Sequence, residues 1–202
     1  MADRGFWGDK WKEGHTPWDL GREHPGLHES LLLASDLGGL EKGARILVPG
    51  CGRGHEAYFL ARQGYEVLAE DYTDEAIVAA RGLGGHKNVE FRVADSLEEP
   101  ASEDHGVFDA VVDRAMLCAI NPEERNKYLD ACYTKLRPSG LFIGLLFGEV
   151  SVEKGPPHGM DLEAVLHLCG EQFSLLTAEH RDPLDEQTSI KSELLIILSK
   201  RM

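Results

Sequence analysis

The feature that most constrains this chain is a regular alternation of short apolar segments and longer amphipathic ones, from near residue 44 to about residue 198. Short apolar runs bounded by turn residues predict β-strands, and the segments with apolar residues at helical spacing predict α-helices. The run 141–147 is apolar throughout, as expected of a central strand that is covered on both faces. Strands alternating with helices of this length favour parallel pairing with right-handed crossovers.

Seven segments have the length and composition of strands: 45–48, 66–70, 89–93, 108–113, 141–147, 173–179 and 193–198. Five segments have helical patterns: 29–38, 54–63, 74–81, 122–136 and 161–169. The last two strands have no helical pattern between them, so we expect an antiparallel hairpin at one edge. The sequence therefore predicts an α/β fold with a doubly wound, mostly parallel seven-stranded sheet.

Charge and cysteine content restrict the partners and the compartment. The formal net charge is −14, which repels nucleic-acid phosphates and anionic membrane surfaces. The four cysteines form no CxxC pair or zinc-finger spacing, and the N-terminus has no apolar signal segment. No apolar stretch is long enough to span a membrane. We therefore expect a cytoplasmic monomer with a small-molecule substrate and no bound metal, nucleic acid or membrane.

A glycine-rich turn follows the first predicted strand, in the sequence Ile-Leu-Val-Pro-Gly-Cys-Gly-Arg-Gly at 46–54. Glycines at a strand-to-helix turn let a ligand approach the backbone, and the next helix offers unpaired N–H groups. A tight turn without a ligand is the alternative. Gly50 and Gly52 fit the dinucleotide motif, but that motif needs glycine where His55 stands. The observed G-x-G-x-G is the form found in methyltransferases that bind S-adenosylmethionine.

Polar residues follow the next two predicted strands. Asp71 ends the second strand and can accept hydrogen bonds from both hydroxyls of a ribose. Asp95 follows the third strand and can accept from an adenine amino group, with the Ser96 backbone nearby. The alternatives are that Asp71 caps the next helix and that Asp95 forms an Asx-turn. Together with the glycine turn, these residues mark three successive strand ends.

Three sequence blocks resemble the thiopurine S-methyltransferase family, specifically its branch of thiol and halide methyltransferases, over about residues 6–180. The blocks are the tryptophan segment 7–21, the glycine turn with Glu70-Asp71, and the segment 113–125. The resemblance implies a Rossmann-like methyltransferase fold and S-adenosylmethionine-dependent methyl transfer to a small acceptor. A thiol, a halide or a related soft nucleophile is the expected acceptor. The alternatives are another small metabolite or a metalloid as acceptor, or a non-catalytic protein that binds S-adenosylmethionine.

The resemblance also implies a role for the N-terminal segment. Trp7, Trp11 and Trp18 match tryptophans that close over the methionine end of the cofactor. An indole face attracts a sulfonium cation, and its bulk excludes water. A hydrophobic anchor for the N-terminal arm is the alternative. We therefore expect 1–28 to be a helical, Trp-rich arm that covers the cofactor and 29–202 to be the methyltransferase domain.

The remaining site residues are also assigned by the resemblance. Gly50, Gly52, Asp71, Asp95, Ser96 and Asp113 match positions that contact the cofactor. Arg114 matches a residue that reaches the acceptor, and we expect it to be the catalytic residue that positions and polarises the nucleophile. A salt bridge at the sheet edge is the alternative for Arg114. Phe147 and His158 are expected beside the acceptor, although a loop histidine is more commonly solvated.

The segment 113–114 distinguishes the two branches of the family. Members of the halide-type branch often have Asp-Tyr where this chain has Asp113-Arg114. The chain thus combines a halide-type N-terminus with a thiopurine-type pair. The sequence leaves the identity of the acceptor open.

Overall fold

The computed structural model describes residues 4–152, 154–184 and 189–201, so the first three residues of the predicted arm lie outside it. The strands are β1 Arg45–Pro49, β2 Glu66–Asp71, β3 Val89–Val93, β4 Phe108–Arg114, β5 Leu136–Phe147, β6 Phe173–Arg181 and β7 Glu193–Lys200. They form one sheet in the order β3-β2-β1-β4-β5-β7-β6. Strands β1 to β5 pair in parallel, whereas β7 runs antiparallel to both β5 and β6. The predicted mostly parallel sheet with an antiparallel edge hairpin is confirmed.

Helices cover both faces of this sheet. They are α1 Arg4–Lys12, α2 Leu27–Gly38, α3 His55–Arg62, α4 Asp74–Gly82, α5 Met116–Ala119, α6 Arg125–Lys135 and α7 Leu162–Cys169. Helices α2, α3 and α4 pack on one face through Leu27, Leu31, Ala57, Leu60, Ile77 and Ala80. Helices α5, α6 and α7 pack on the other through Leu117, Tyr128, Leu129, Cys132, Val165 and Cys169. The apolar strands therefore lie between two cores, as a doubly wound fold requires.

Two predicted elements differ from the observed ones by more than two residues at one end. The segment predicted as a helix from Pro122 begins with a 3₁₀ turn at Pro122–Glu124, and the α-helix starts only at Arg125. Strand β5 begins at Leu136, five residues before the predicted start. Its pairing with β4 shifts register in this segment, where Ser139 adopts a φ of 60°. The residues 138–140 thus form an irregularity within the paired strand rather than its boundary.

A buried ionic cluster joins β2, β3 and α6. Glu70 is completely buried, and its Oε1 accepts a hydrogen bond of 3.0 Å from Arg92 Nε. Lys135 Nζ donates to Glu70 Oε2 over 2.7 Å, and Arg92 also pairs with Asp104. Side chains alternate along a strand, so Glu70 faces this cluster while Asp71 faces the other side. Two buried carboxylates, Glu70 and Asp104, therefore balance the charges of the buried Lys135 and the partly buried Arg92.

We expect Glu70→Ala to lower the free energy of unfolding by about 3–5 kcal/mol, because it removes the buried carboxylate that Lys135 and Arg92 share and leaves Arg92 with Asp104 alone. Urea denaturation of the wild type and the variant measures the difference. The matched control is Asp9→Ala, which removes an exposed carboxylate 3.8 Å from Lys12 and should cost less than about 1 kcal/mol. Equal losses of unfolding free energy in the two variants would contradict the structural importance of the cluster.

Candidate active site

A cavity of about 910 Å³ lies at the carboxyl ends of the parallel strands. Doubly wound sheets bind ligands at this edge, and the volume falls in the roughly 300–1,000 Å³ range of small-molecule sites. The predicted site residues in its wall are Trp7, Trp11, Trp18, Gly50, Gly52, Asp71, Asp95, Ser96, Arg114 and Phe147. These residues are far apart in the sequence, and the fold brings them to one enclosed space.

The glycine turn between β1 and α3 forms the base of this cavity. Gly52 has a φ of 51°, and a Cβ built on it would lie 3.6 Å from the ring of Trp11. A side chain at this position would therefore fill part of the space between the turn and the tryptophan above it. Gly54 has a φ of 76°, and a Cβ there would lie 2.7 Å from Phe91. Gly54 thus lets α3 pack against β3, whereas Gly52 keeps the cavity open.

Asp71 connects the end of β2 to the glycine turn. Its Oδ2 accepts a hydrogen bond of 3.2 Å from the Gly52 backbone N–H. Its Oδ1 accepts from the backbone and the hydroxyl of Thr73, over 3.0 and 2.7 Å. Burial raises the pKa of Asp71, and the hydrogen bonds from Thr73 and Gly52 oppose that shift. The carboxylate therefore both stabilises the turn and faces the cavity.

Asp95 and Ser96 form the wall that follows β3. Asp95 Oδ1 accepts a hydrogen bond of 2.8 Å from the Leu97 backbone N–H, which is the Asx-turn expected as the alternative. Both residues also line the cavity, and Ser96 is buried. The turn thus orients the Asp95 side chain at the cavity wall.

Three half-buried tryptophans cover the cavity from the N-terminal segment. The ring of Trp18 is 5.0 Å from that of Trp7 and 6.2 Å from that of Trp11, in edge-to-face arrangements. The guanidinium carbon of Arg53 lies 5.2 Å from the Trp11 ring centroid. The tryptophans thus form one aromatic cluster above the glycine turn, held by contacts among the rings and with Arg53.

Ion pairs attach helix α1 to α4 at the cavity rim. Arg4 Nη2 lies 3.0 Å from Asp74 Oδ2, and Lys12 Nζ lies 3.2 Å from Glu75 Oε1. Gly8 is the buried residue of α1 at this contact, and a Cβ on it would lie 3.6 Å from the Glu75 carboxylate. The ion pairs are partly exposed, so each contributes little by itself, and the aromatic cluster adds apolar contact.

Arg114 ends β4 and points into the cavity wall. Its guanidinium carbon lies 5.2 Å from the ring centroid of Phe147, and Nη1 is 3.4 Å from the Trp18 carbonyl oxygen. The cation therefore lies between the tryptophan cover and the end of β5. This position combines a positive charge with an aromatic surface in the same part of the cavity.

Asp113 is placed differently from the predicted cofactor contact. It is completely buried and is absent from the cavity wall formed by the described residues. Its oxygens accept hydrogen bonds from the Met116 and Leu117 backbone N–H groups, at 2.7 and 3.1 Å, and from Tyr128 Oη at 2.9 Å. Neighbouring residues on a strand face opposite sides, so Asp113 supports α5 while Arg114 faces the cavity. Burial raises the pKa of Asp113 to about 6.

His158 also differs from its predicted position beside the acceptor. Pro156 and Pro157 line the cavity, but His158 is absent from the wall formed by the described residues. Its backbone N–H donates to the Cys118 carbonyl over 2.7 Å, and burial and the charge of Arg125 lower the pKa of its imidazole. The wall therefore includes the two prolines but not the histidine, whose ring lies against Gly155.

Sequence reasoning missed a small polar cavity of about 60 Å³ beside the glycine turn. Its wall includes Asp19, Arg22, Arg53 and Glu56. Asp19 pairs with Arg53, and its Oδ1 lies 3.3 Å from His55 Nε2. Asp19 stood in the tryptophan block, but its position over the turn required the folded arm. Mixed charges next to the turn are suited to a zwitterionic group.

Solved structures of known proteins share this fold. A solved structure of the Burkholderia thailandensis 1,6-didemethyltoxoflavin-N1-methyltransferase, with bound S-adenosylhomocysteine, matches with a TM-score of 0.74 at 20% identity. The match covers 98% of this chain and 87% of that chain. A SAM-dependent methyltransferase from Methanosarcina mazei matches with a TM-score of 0.72 and covers 90% and 99% of the two chains, at 19% identity. At this level of identity, both show the Rossmann-like methyltransferase fold.

The family model described as Thiopurine S-methyltransferase matches residues 2–201. The thiocyanate methyltransferase 1 of Brassica oleracea is 31% identical over 158 residues, which cover 78% of this chain and 68% of the relative. A thiopurine S-methyltransferase of Xanthomonas campestris pv. campestris is 29% identical over 214 residues, 98% and 95% of the two chains. This chain belongs to the thiopurine S-methyltransferase family and is an S-adenosylmethionine-dependent methyltransferase.

Two features are absent from the part of the chain that the structure describes. None of their helices is both long enough and apolar enough to cross a membrane. Their His, Cys, Asp and Glu side chains form no group of three or more suited to a metal ion.

The buried Asp113 should make the free energy of unfolding depend on pH. The folded state binds its proton more tightly than the unfolded chain, whose Asp pKa is about 3.9, so this group favours folding most below pH about 4. That contribution falls as the pH rises to about 6. We expect the unfolding free energy of the wild type, minus that of Asp113→Asn, to fall by up to about 3 kcal/mol between these pH values. Urea denaturation across this range provides the measurement, and a constant difference would contradict the assignment.

Proposed function

We propose that this methyltransferase transfers the methyl group to a small soft nucleophile, such as a thiol, a thiolate-like anion or a halide. The observation that carries the proposal is the position of Arg114 beside Phe147, in the same cavity as Asp71 and the glycine turn. The cation and the aromatic ring thus lie in the same cavity as the residues suited to bind an adenosyl group. The named activities of the relatives, on thiocyanate and thiopurines, support a sulfur acceptor.

The cavity residues suit the parts of S-adenosylmethionine. We assign Asp71 to the ribose hydroxyls, and Asp95 with Ser96 to the adenine. Gly50 and Gly52 allow the ligand to approach the backbone, since a Cβ on Gly52 would occupy space next to the Trp11 ring, 3.6 Å away. The bound cofactor supplies a methyl group already activated by the sulfonium charge. Cavity geometry and the family motifs support these assignments.

The small polar cavity suits the amino-acid end of the cofactor. Arg22 and Arg53 can bind a carboxylate, while Asp19 and Glu56 can bind an ammonium group. This cavity adjoins the glycine turn and shares Trp18 and Arg114 with the main cavity. We therefore place the sulfonium between them, beneath the tryptophan cluster.

We propose that residues 1–28 act as an arm that covers the cofactor and that 29–202 form the methyltransferase domain. The aromatic cluster of Trp7, Trp11 and Trp18 supports this division, because it covers the cavity without belonging to the sheet. Indole rings next to the sulfonium would exclude water and stabilise its charge. Competing hydrolysis would thereby be suppressed.

Arg114 would act on the nucleophile rather than on the methyl group. A free thiol has a pKa of about 8.5, so part of it is ionised at neutral pH. A neighbouring guanidinium stabilises the thiolate and increases that fraction. A soft anion aligned with an activated methyl group needs placement more than a strong base. We therefore assign Arg114 as the catalytic residue that positions and polarises the acceptor.

We further propose that the protein acts as a monomer in the cytoplasm and binds no nucleic acid. The described cysteines Cys51, Cys118, Cys132 and Cys169 are free and buried, as expected in a reducing compartment. The net charge of −14 disfavours binding to phosphate backbones.

The cofactor assignment predicts that Asp71→Asn weakens binding of S-adenosylhomocysteine at least about tenfold, since charged hydrogen bonds contribute about 1.5–3 kcal/mol. Isothermal titration calorimetry measures the dissociation constant. The control is Asp36→Asn, which changes the same charge on the exposed side of α2 and should leave affinity unchanged. Unaltered affinity in Asp71→Asn would refute the ribose assignment.

The acceptor assignment predicts that Arg114→Met lowers kcat for thiol methylation by roughly 10- to 100-fold. The dissociation constant of S-adenosylhomocysteine should stay near the wild-type value. Labelled S-adenosylmethionine with a panel of thiol, thiocyanate, halide and alcohol acceptors provides the measurement. Transfer only to oxygen or nitrogen acceptors, or no transfer at all, would overturn the proposed acceptor class.

A further inference from the structure

Arg125 lies behind the acceptor end of the cavity and has no part in the proposed chemistry. It begins α6, is only 6% exposed and is absent from the cavity wall formed by the described residues. Its Nε donates to the Leu117 carbonyl over 3.0 Å. Its Nη2 donates to the carbonyls of His158 and Gly159, over 3.2 and 3.4 Å. One guanidinium thus binds backbone from two separate segments.

Both segments form walls of the cavity. Helix α5 and the residue after it contribute Met116, Ala119 and Ile120, while the other segment contributes Pro156 and Pro157. The carbonyls that Arg125 binds belong to the same two segments, on the side away from the cavity. The distance between these walls therefore depends on how the guanidinium holds them together.

We propose that Arg125 is a positioning residue that sets the width of the acceptor end of the cavity, by holding α5 to the segment 156–160. The inference rests on the proposed function, because it takes this end of the cavity as the acceptor site. Arg125 acts through Pro156 and Pro157 on one wall and through α5 on the other. It makes no contact with the acceptor itself.

The chemistry of the guanidinium explains why an arginine suits this position. Its planar fork presents donors on separate nitrogens in fixed directions and reaches carbonyls of two separate segments, whereas a lysine ammonium donates from a single point on a flexible stem. Nη1 also lies 3.7 Å from Met160 Sδ, so the fork is enclosed by both segments. The side chain therefore fixes the distance between the two segments as well as supplying hydrogen bonds to them.

A backbone hydrogen bond provides a second link between the two walls. The His158 N–H donates to the Cys118 carbonyl over 2.7 Å, and this bond involves no side chain. Removing the guanidinium should therefore loosen the two walls without separating them. We expect the acceptor end of the cavity to become wider and less ordered. The glycine turn and Asp71, which we assign to the cofactor, should be unchanged.

The test compares Arg125→Met and Arg125→Lys with the wild type. We expect Arg125→Met to raise the KM for a small alkyl thiol about tenfold or more, while the KM for S-adenosylmethionine stays within about twofold. The kcat/KM for a bulky aryl thiol should fall less than that for the alkyl thiol. The ratio of the aryl value to the alkyl value therefore rises. Arg125→Lys should give an intermediate ratio. A defect that affected only folding would lower all rates together and would not change this ratio.

The matched control is Lys200→Met. Lys200 Nζ also donates to two backbone carbonyls, those of Tyr133 and Leu136, each over 2.7 Å, but far from the cavity. This variant should keep the wild-type selectivity even where its thermal stability falls. If Arg125→Met does not fold, as judged by circular dichroism, Arg125→Lys takes its place in the comparison.

Hydrogen–deuterium exchange separates this inference from the proposed function. Arg125→Met should increase exchange of the amides in α5 and in 158–160 together, with little change at the glycine turn. Unchanged exchange in these segments, or an unchanged thiol selectivity in an active enzyme, overturns the positioning role alone. A wild-type enzyme that methylates no soft nucleophile overturns the proposed function, and the assignment of this end to the acceptor with it.

Discussion

The hydrogen bond from the Gly52 backbone to Asp71 is the interaction on which the site depends. It connects the turn after β1 to the end of β2, and the same carboxylate accepts from Thr73 at the start of α4. Parallel strands bring their carboxyl ends to one edge, but loops at that edge need contacts that hold them in one arrangement. A partly buried carboxylate supplies such contacts and still faces the cavity, so the same group serves fold and ligand site.

Alternation along the strands assigns structural and chemical tasks to neighbouring residues. Glu70 neutralises buried cations on one side of β2, while Asp71 faces the cavity on the other. Along β4, Asp113 caps α5 from within the core, and Arg114 lies in the cavity wall. In each pair, one charge is buried and satisfied by the protein, and the next faces the cavity. Arg125 extends this principle, because a buried cation satisfied by carbonyls orders the walls that surround the acceptor end.

The N-terminal segment contributes most of the chemistry that distinguishes this cavity from a generic α/β ligand site. Its tryptophans cover the glycine turn, and Asp19 meets Arg53 beside it. The segment is attached by partly exposed ion pairs and by aromatic contact rather than by the sheet. Such an attachment is compatible with entry of the cofactor, since each ion pair is weak by itself while the rings pack together. The tryptophans are therefore suited to close over a ligand that binds first to the rigid turn.

The sequence by itself determined the succession of strands and helices along the chain, the antiparallel edge, and the cavity positions of the glycine turn, Asp71, Arg114 and the tryptophans. The elements follow from hydrophobic periodicity, the glycine turn and Asp71 follow from local motifs, and Arg114 and the tryptophans follow from the resemblance to the family. Only the tertiary structure decided that Asp113 supports α5, that His158 is absent from the wall formed by the described residues, and that Arg125 joins two segments. Side-chain direction at the end of a strand, and contacts between loops more than thirty residues apart, depend on how the elements pack. That packing is fixed by the whole core, so no local pattern in the sequence could specify it.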